Sequence, residues 1–426
     1  MNKYKILMIS DHLLSGSGVG TQGRYLATGL VNTGKYTIRQ FGAAIRHSDY
    51  SIQQPHPEIL IRPIDGFGTK ELYRQFLATE RPDAVMLFTD PRFFSNLFEV
   101  HDEFHQLCPI VYCHLWDQSQ YPPLYNKNVY DACDLLNCIN KPTYDFLDKL
   151  YAGQNKVNYI PHGIPDNIFK KLPDDIVNSY RKKITNYFKR RDYGEINTDN
   201  EFIILWSNRN AHRKRPADVL WSLRLFIDKL KEQGRKPEVT LFMHTNPDDH
   251  EGPKLTHIVE LFNLQQHVIF SKNEISFEEM VLLYNSADIT LNISFAEGFG
   301  LALLESMMCE TPIVALKTGG MTRQVVNCYD ETENGVALPV EYQKMVGSQD
   351  VPYIVEDYVS NETIADSILK MYDMPKSDRE LLGAKCREYA NKQFNLKNVI
   401  ADWDRTLEEC IKNWRSRRPK WTSTTI

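Results

Sequence analysis

No uninterrupted apolar stretch in this 426-residue chain is long enough to span a bilayer. The first apolar run, Ile6-Leu7-Met8-Ile9, is too short for the core of a signal peptide. The expectation is therefore a soluble, cytoplasmic protein with no transmembrane segment. One-signed charge is lacking too. Fifty Lys and Arg stand against 55 Asp and Glu, and a formal net charge of -5 gives no global pull toward nucleic acid or anionic membrane. No C-x-x-C pair occurs among Cys108, Cys113, Cys133, Cys138, Cys309, Cys328, Cys386 and Cys410. Several sit in apolar runs such as Ile110–Cys113, so buried thiols explain them better than disulfides or zinc. The D-x-D at Asp402-Trp403-Asp404 lies in an amphipathic stretch beside a core-facing Trp403, which reads as solvated acids. No metal site is expected. Short-period repeats and low-complexity segments are missing.

What is present is alternation. Strand-like runs at Lys5–Ser10, Thr37–Phe41, Ala84–Phe88, Ile110–Cys113, Leu135–Ile139 and Val157–Ile160 are separated by amphipathic stretches such as Thr21–Asn32 and Lys141–Tyr151. After a polar stretch from Asp166 to Glu201 the pattern restarts, with runs at Phe202–Trp206, Val239–His244, Val268–Phe270, Ile289–Ile293 and Ile313–Leu316. Such βαβ alternation predicts two doubly wound α/β domains across a cleft, with ligands beyond the carboxyl ends of the strands. The expected boundaries are 1–165 for the first domain, 166–200 for a linker and 201–395 for the second domain. Residues 396–426 are expected to form a helix that packs back on the first domain, and a tail.

Three segments carry the candidate chemistry. Gly18-Val19-Gly20-Thr21-Gln22-Gly23 matches G-x-G-x-x-G literally. The first glycine does not follow the strand directly, however, and the second strand leads into Gly42-Ala43-Ala44 rather than an acid. A dehydrogenase fits poorly, whereas a helix start with free N–H groups near a donor phosphate fits well. The basic loop Arg209–Arg215 holds four cations that would repel one another unless they share an anion such as a diphosphate. The segment Ser294–Glu305 follows a strand-like run. In it Gly298 and Gly300 open a helix from which Glu305 projects on a mostly apolar face, and a carboxylate there needs donors such as ribose hydroxyls.

The stretch from Glu297 to Glu305, E-G-F-G-L-x-x-x-E followed by Pro312 and Gly319-Gly320, resembles the family 4 retaining glycosyltransferases of GT-B architecture. Within that family it is similar to members encoded by tailed phages, judged by Tyr112–Tyr121 and Gly347–Asp357. Glu310 stands where the family usually has glycine.

The resemblance implies a fold of two Rossmann-like domains facing each other and a hexose-type transfer from a nucleotide-sugar, UDP- or GDP-linked. It implies donor contacts from Gly18, Gly20, Arg209, Lys214, Gly298, Phe299, Gly300, Leu301 and Glu305. Catalytic roles fall to Glu297, His114, Arg209 and Lys214, with His114 reaching the sugar and Asp117 and Asp90 as weaker candidates. His162-Gly163 resembles a family turn that shapes the hinge. Front-face substitution without a metal or cofactor is expected, because Arg209 and Lys214 replace the metal at the leaving diphosphate. Other readings are a non-catalytic nucleotide-sugar-binding protein and a glycan phosphorylase. The acceptor is left open between a surface glycan and a modified DNA base. For DNA, Arg181–Lys183, Lys189–Arg191 and the tail Trp414–Trp421 are the basic candidates.

Overall fold

The computed structural model describes residues 3–117, 121–187 and 200–417. Two sheets organise it. The first has eight strands: β1 (Tyr4–Asp11), β2 (Tyr36–Ala43), β3 (Gln53–His56), β4 (Ile59–Pro63), β5 (Ala84–Thr89), β6 (Ile110–His114), β7 (Leu135–Cys138) and β8 (Val157–Tyr159). Their spatial order is β3-β4-β2-β1-β5-β6-β7-β8, parallel except where β3 runs against β4. The pair β3–β4 is not among the runs read from the sequence. Gln53-Gln54-Pro55-His56 has no apolar alternation, and tertiary pairing with β2 makes this edge.

The second sheet contains β9 (Phe202–Ser207), β10 (Val239–His244), β11 (Val268–Ser271), β12 (Ile289–Asn292), β13 (Ile313–Leu316) and β14 (Gly335–Leu338), in the order β11-β10-β9-β12-β13-β14. All its pairings are parallel. Strands with both faces covered read as continuous apolar runs, and Ile203–Trp206 and Ile313–Leu316 are buried throughout. A separate antiparallel hairpin, β15 (Tyr342–Val346) with β16 (Ile354–Tyr358), joins neither sheet.

The polar stretch after Asp166 is not free chain. It contains the helix Asp174–Thr185, whose Arg181 donates to Ser286 O and Glu201 O and pairs with Asp288 at 3.0 Å. Arg181 is thereby withdrawn from any phosphate backbone, while Lys189–Arg191 lie outside the described residues.

The last helix, Leu396–Arg417, returns to the first sheet. Asp404 pairs with Lys35 at 2.8 Å and accepts from the Tyr36 hydroxyl at 2.7 Å, and Asn137 meets Thr406 at 3.2 Å. Asp404 is thus an anchoring acid and not a solvated one. Arg415 pairs with Asp83, and the tail from 418 onward lies outside the described residues. No helix among the described residues is long and apolar enough to cross a membrane.

Candidate functional site

A cleft of 910 Å3 opens between the carboxyl ends of the two sheets. The first sheet contributes the turn Gly16–Val19 after β1 and Leu115 and Asp117 after β6; the second contributes Ser207–Arg209, His244–Asn246, Ser271–Glu274 and Glu297–Leu301. Its floor is the loop after β12. Gly300 adopts φ 91° as N-cap of the helix Leu301–Met308, a conformation that glycine reaches without the Cβ penalty. The Gly319-Gly320 turn lies directly on this loop: Gly320 N donates to Glu297 O at 2.9 Å, and a Cβ on Gly319 would come within 3.0 Å of Asp117 O. Across the cleft, Asn140 Nδ2 donates to Gly298 O at 3.0 Å and to Trp116 O at 2.8 Å, tying the loop to the first sheet.

Glu297 is buried and carries the densest electrostatics. Lys214 Nζ and Arg213 Nη1, the latter at 3.2 Å, both meet its Oε2. Burial alone would raise this carboxyl; the two cations overcome that and hold it below the usual carboxylate range. Burial also pulls the Lys214 ammonium down, and Glu297 opposes the shift. Arg213 additionally donates to Ala296 O at 2.5 Å and lies 3.4 Å from Asp117. One turn explains the geometry. His212–Lys214 is a short 3₁₀ segment closed by Arg215 at φ 54°, and it swings both cations inward.

Glu305 lies one helical turn into Leu301–Met308 and accepts from the Tyr284 hydroxyl at 2.6 Å. Burial raises its pKa to about 7, against the lowering effect of that hydrogen bond. The Tyr25 hydroxyl, from the helix Gly18–Asn32, is buried with no hydrogen-bond partner among the described residues and is close enough to Glu305 to feel its charge.

The structure brings Gly18, Arg209, Lys214, Glu297, Gly298, Phe299, Gly300, Leu301 and Glu305 to this cleft, and leaves two expected residues out. His114 is fully buried on β6, with Nε2 2.9 Å from the Tyr130 hydroxyl, and burial lowers its pKa to about 3. It is a core histidine, because β6 extends one residue further than the apolar run implied and keeps His114 inside the sheet. Asp117, three residues on, is the side chain that reaches the cleft. Gly20 is also absent from the lining: its N donates to the Ser17 cap at 2.9 Å, and a Cβ there would meet His12 O at 2.7 Å. It serves helix packing, while Gly18 faces Leu301.

Arg209 stands at the rim, half exposed, with Nε 2.8 Å from Asp249 and Nη1 3.0 Å from Glu251. Local sequence does not identify Arg213, Tyr284 and Asn140 as site residues. For Arg213 the available signal is its place beside Lys214; nothing in the sequence marks the other two. His162 borders the cleft, its ring 4.9 Å from that of Phe299. Among the described residues no group of three or more His, Cys, Asp or Glu is placed to hold a metal.

Residues 189–393 match the family model described as glycosyl transferases group 1. Curated relatives include a D-inositol 3-phosphate glycosyltransferase of Paenarthrobacter aurescens, 34% identical over 41% of this chain and 38% of the relative. Another is a mannosylfructose-phosphate synthase of Agrobacterium fabrum, 24% identical over 51% of this chain and 48% of the relative. The chain spans less than half of the length of these two relatives. Whole-chain similarity appears in solved structures. A sucrose-phosphate synthase of Thermosynechococcus elongatus superposes with TM-score 0.73 at 16% identity, over 96% of this chain and all of that one. Anabaena HepE in complex with UDP-glucose does so with TM-score 0.65 at 15% identity, covering 95% and 99%. This chain therefore has the GT-B fold, and its residues 189–393 are similar to the glycosyl transferases group 1 family.

Proposed function

We propose that the protein is a retaining glycosyltransferase that moves a hexose-type sugar from a nucleoside-diphosphate sugar to an acceptor hydroxyl, without a metal. The observation that carries this reading is the cluster of Lys214 and Arg213 on Glu297 at the start of the helix Leu301–Met308. In the free protein Lys214 and Arg213 are balanced by Glu297 and Asp117, and the helix start adds the positive potential that draws an anion. A diphosphate takes over contacts of Lys214 and Arg213, and Arg209 at the rim turns from Asp249 and Glu251 to meet it. The presence of UDP-glucose in HepE favours UDP as the first donor to test.

In this reading Glu305 accepts hydrogen bonds from the ribose, and Glu297 faces the transferred sugar. As the bond between the anomeric carbon and the diphosphate oxygen breaks, the ring gains oxocarbenium character and negative charge grows on the departing oxygen. Lys214, Arg213 and the helix start stabilise that charge. The acceptor oxygen bonds to the anomeric carbon from the side the diphosphate leaves, and its proton passes to the departing diphosphate. Closure of the cleft over the bound donor excludes water that would otherwise hydrolyse it.

The test is a proton NMR time course with UDP-glucose in EDTA. Retention of the anomeric configuration with undiminished turnover is the expected result. Inversion, or activity that returns only with manganese or magnesium, overturns the mechanism. UDP binding with no turnover on any acceptor and no donor hydrolysis instead supports a binding protein.

A further inference from the structure

The hairpin β15–β16 is rooted in the second half of the chain yet touches the first. Asp357 on β16 accepts from Thr318 Oγ1 at 2.5 Å, and its N donates to Phe295 O at 2.8 Å, two residues before Glu297. At its other end Tyr353 donates from its hydroxyl to Pro122 O at 2.8 Å. The Tyr125 hydroxyl donates to Tyr353 O at 3.0 Å, and the two rings meet edge to face at 5.0 Å. The hairpin thus bridges from the Glu297 loop to the chain beyond β6.

Beneath it lies a chamber of 230 Å3, walled by Asp90, Arg92, Trp116 and Asp117 on one side and by Val351 and Ile354 on the other. It adjoins the cleft, since Leu115 and Asp117 line both. Arg92 grips Asp90 at 2.7 Å, and Asp117 lies 3.4 Å from Arg213, which stands outside these walls. Two acids against one cation thus line the chamber, and a phosphate would meet net negative charge there. The Trp116 indole Nε1 is buried with no hydrogen-bond partner among the described residues, which leaves one donor in want of an oxygen. Val351 and Ile354 supply apolar surface for the face of a ring.

We propose that this chamber is the acceptor site and that it takes an uncharged, ring-sized polyol such as one sugar residue. The proposal rests on the donor reading of the cleft, because the shared wall at Leu115 and Asp117 places an acceptor hydroxyl beside the transferred sugar. The volume fits: 230 Å3 corresponds to about eight waters at their liquid share. Trp116 donates to a ring or hydroxyl oxygen, and the free oxygen of Asp117 receives the hydroxyl that reacts. The hairpin sets which acceptor fits.

The experiment offers UDP-glucose with a panel of methyl glycosides and the same sugars as 6-phosphates, to the wild type and to Val351→Trp and Trp116→Phe. UDP affinity and donor hydrolysis are measured in parallel, and melting curves verify folding. Transfer to a neutral glycoside is expected. Val351→Trp should abolish it by filling the chamber, and Trp116→Phe should raise the acceptor KM roughly tenfold, the worth of one hydrogen bond. UDP affinity and donor hydrolysis should not change in Val351→Trp, since Val351 is not among the cleft-lining residues. Transfer only to phosphorylated sugars, unchanged transfer in a folded Val351→Trp, or no acceptor in the panel overturns the chamber assignment. Failure of the wild type to bind UDP overturns the donor reading instead.

Discussion

Glu305 is the residue whose environment makes the sharpest quantitative demand. Its ordinary value of 4.5 rises to about 7 in the folded chain, chiefly through burial. An acid with a raised folded pKa holds its proton more tightly folded than unfolded. Its contribution to stability is present below pH 4.5 and is lost as pH climbs toward 7, by an amount on the order of a few kcal/mol. Glu305→Gln should flatten that part of the stability profile, as urea melts between pH 5 and 7.5 would show. Ribose hydroxyls favour the ionised form, so UDP binding near pH 6.5 should release a proton. Calorimetry in buffers of different ionisation heat should detect it in wild type and not in Glu305→Gln.

Glu297 behaves oppositely, because removing its charge strands Lys214 and Arg213. Glu297→Gln should lower the melting temperature of the free protein, and saturating UDP should restore more of it than in wild type. Equal UDP-induced shifts in both would argue against a shared diphosphate site.

Glu310 tests a departure visible in the sequence. It sits at φ 63° where the related motif has glycine, so Glu310→Gly should stabilise by about 0.5–1 kcal/mol in denaturant titration.

At the scale of elements, the loop after β12 is held by other loops more than by its own helix. The Gly319-Gly320 turn presses on it, and Asn140 reaches it from the opposite sheet. A Cβ on Gly320 would enter Gly298 and come within 2.5 Å of Phe299 Cα. Gly320→Ala should therefore cost turnover through displaced Glu297, with near-native circular dichroism and reduced UDP affinity. Full activity in that variant would show that the loop tolerates movement. A run of four cations has no inside or outside in sequence, and the 3₁₀ turn at His212–Lys214 turns Arg213 and Lys214 inward while Arg209 stays at the rim.

At the scale of the molecule, the helix Leu396–Arg417 clamps the end of the chain onto its beginning. Leu407 and Trp403 are buried there, and Ile400 packs against Gly29 of the helix Gly18–Asn32. Leu407→Ala should cost about 2–5 kcal/mol. The loss should appear as earlier hydrogen exchange in β1 and β2 than in β9 to β13. Uniform loss across both sheets would mean that the halves unfold as one.

The sequence by itself determined the two parallel sheets, since strands buried on both faces must be apolar runs, and it marked the Glu297–Glu305 segment through its glycines and acids. Its local patterns also located the basic loop and the last amphipathic helix. Tertiary structure alone decided the rest. His114 follows an apolar run as a catalytic histidine would, yet the register of β6 between β5 and β7 keeps it in the sheet and delivers Asp117 instead. Gly20 looks identical to Gly18 in the motif, and only the packing of Ser15 and His12 separates a glycine for a helix contact from one at the cleft. The edge pair β3–β4 and the hairpin β15–β16 carry no strong periodicity. Side-chain direction and long-range pairing depend on neighbours far along the chain, and spacing within one segment does not encode them.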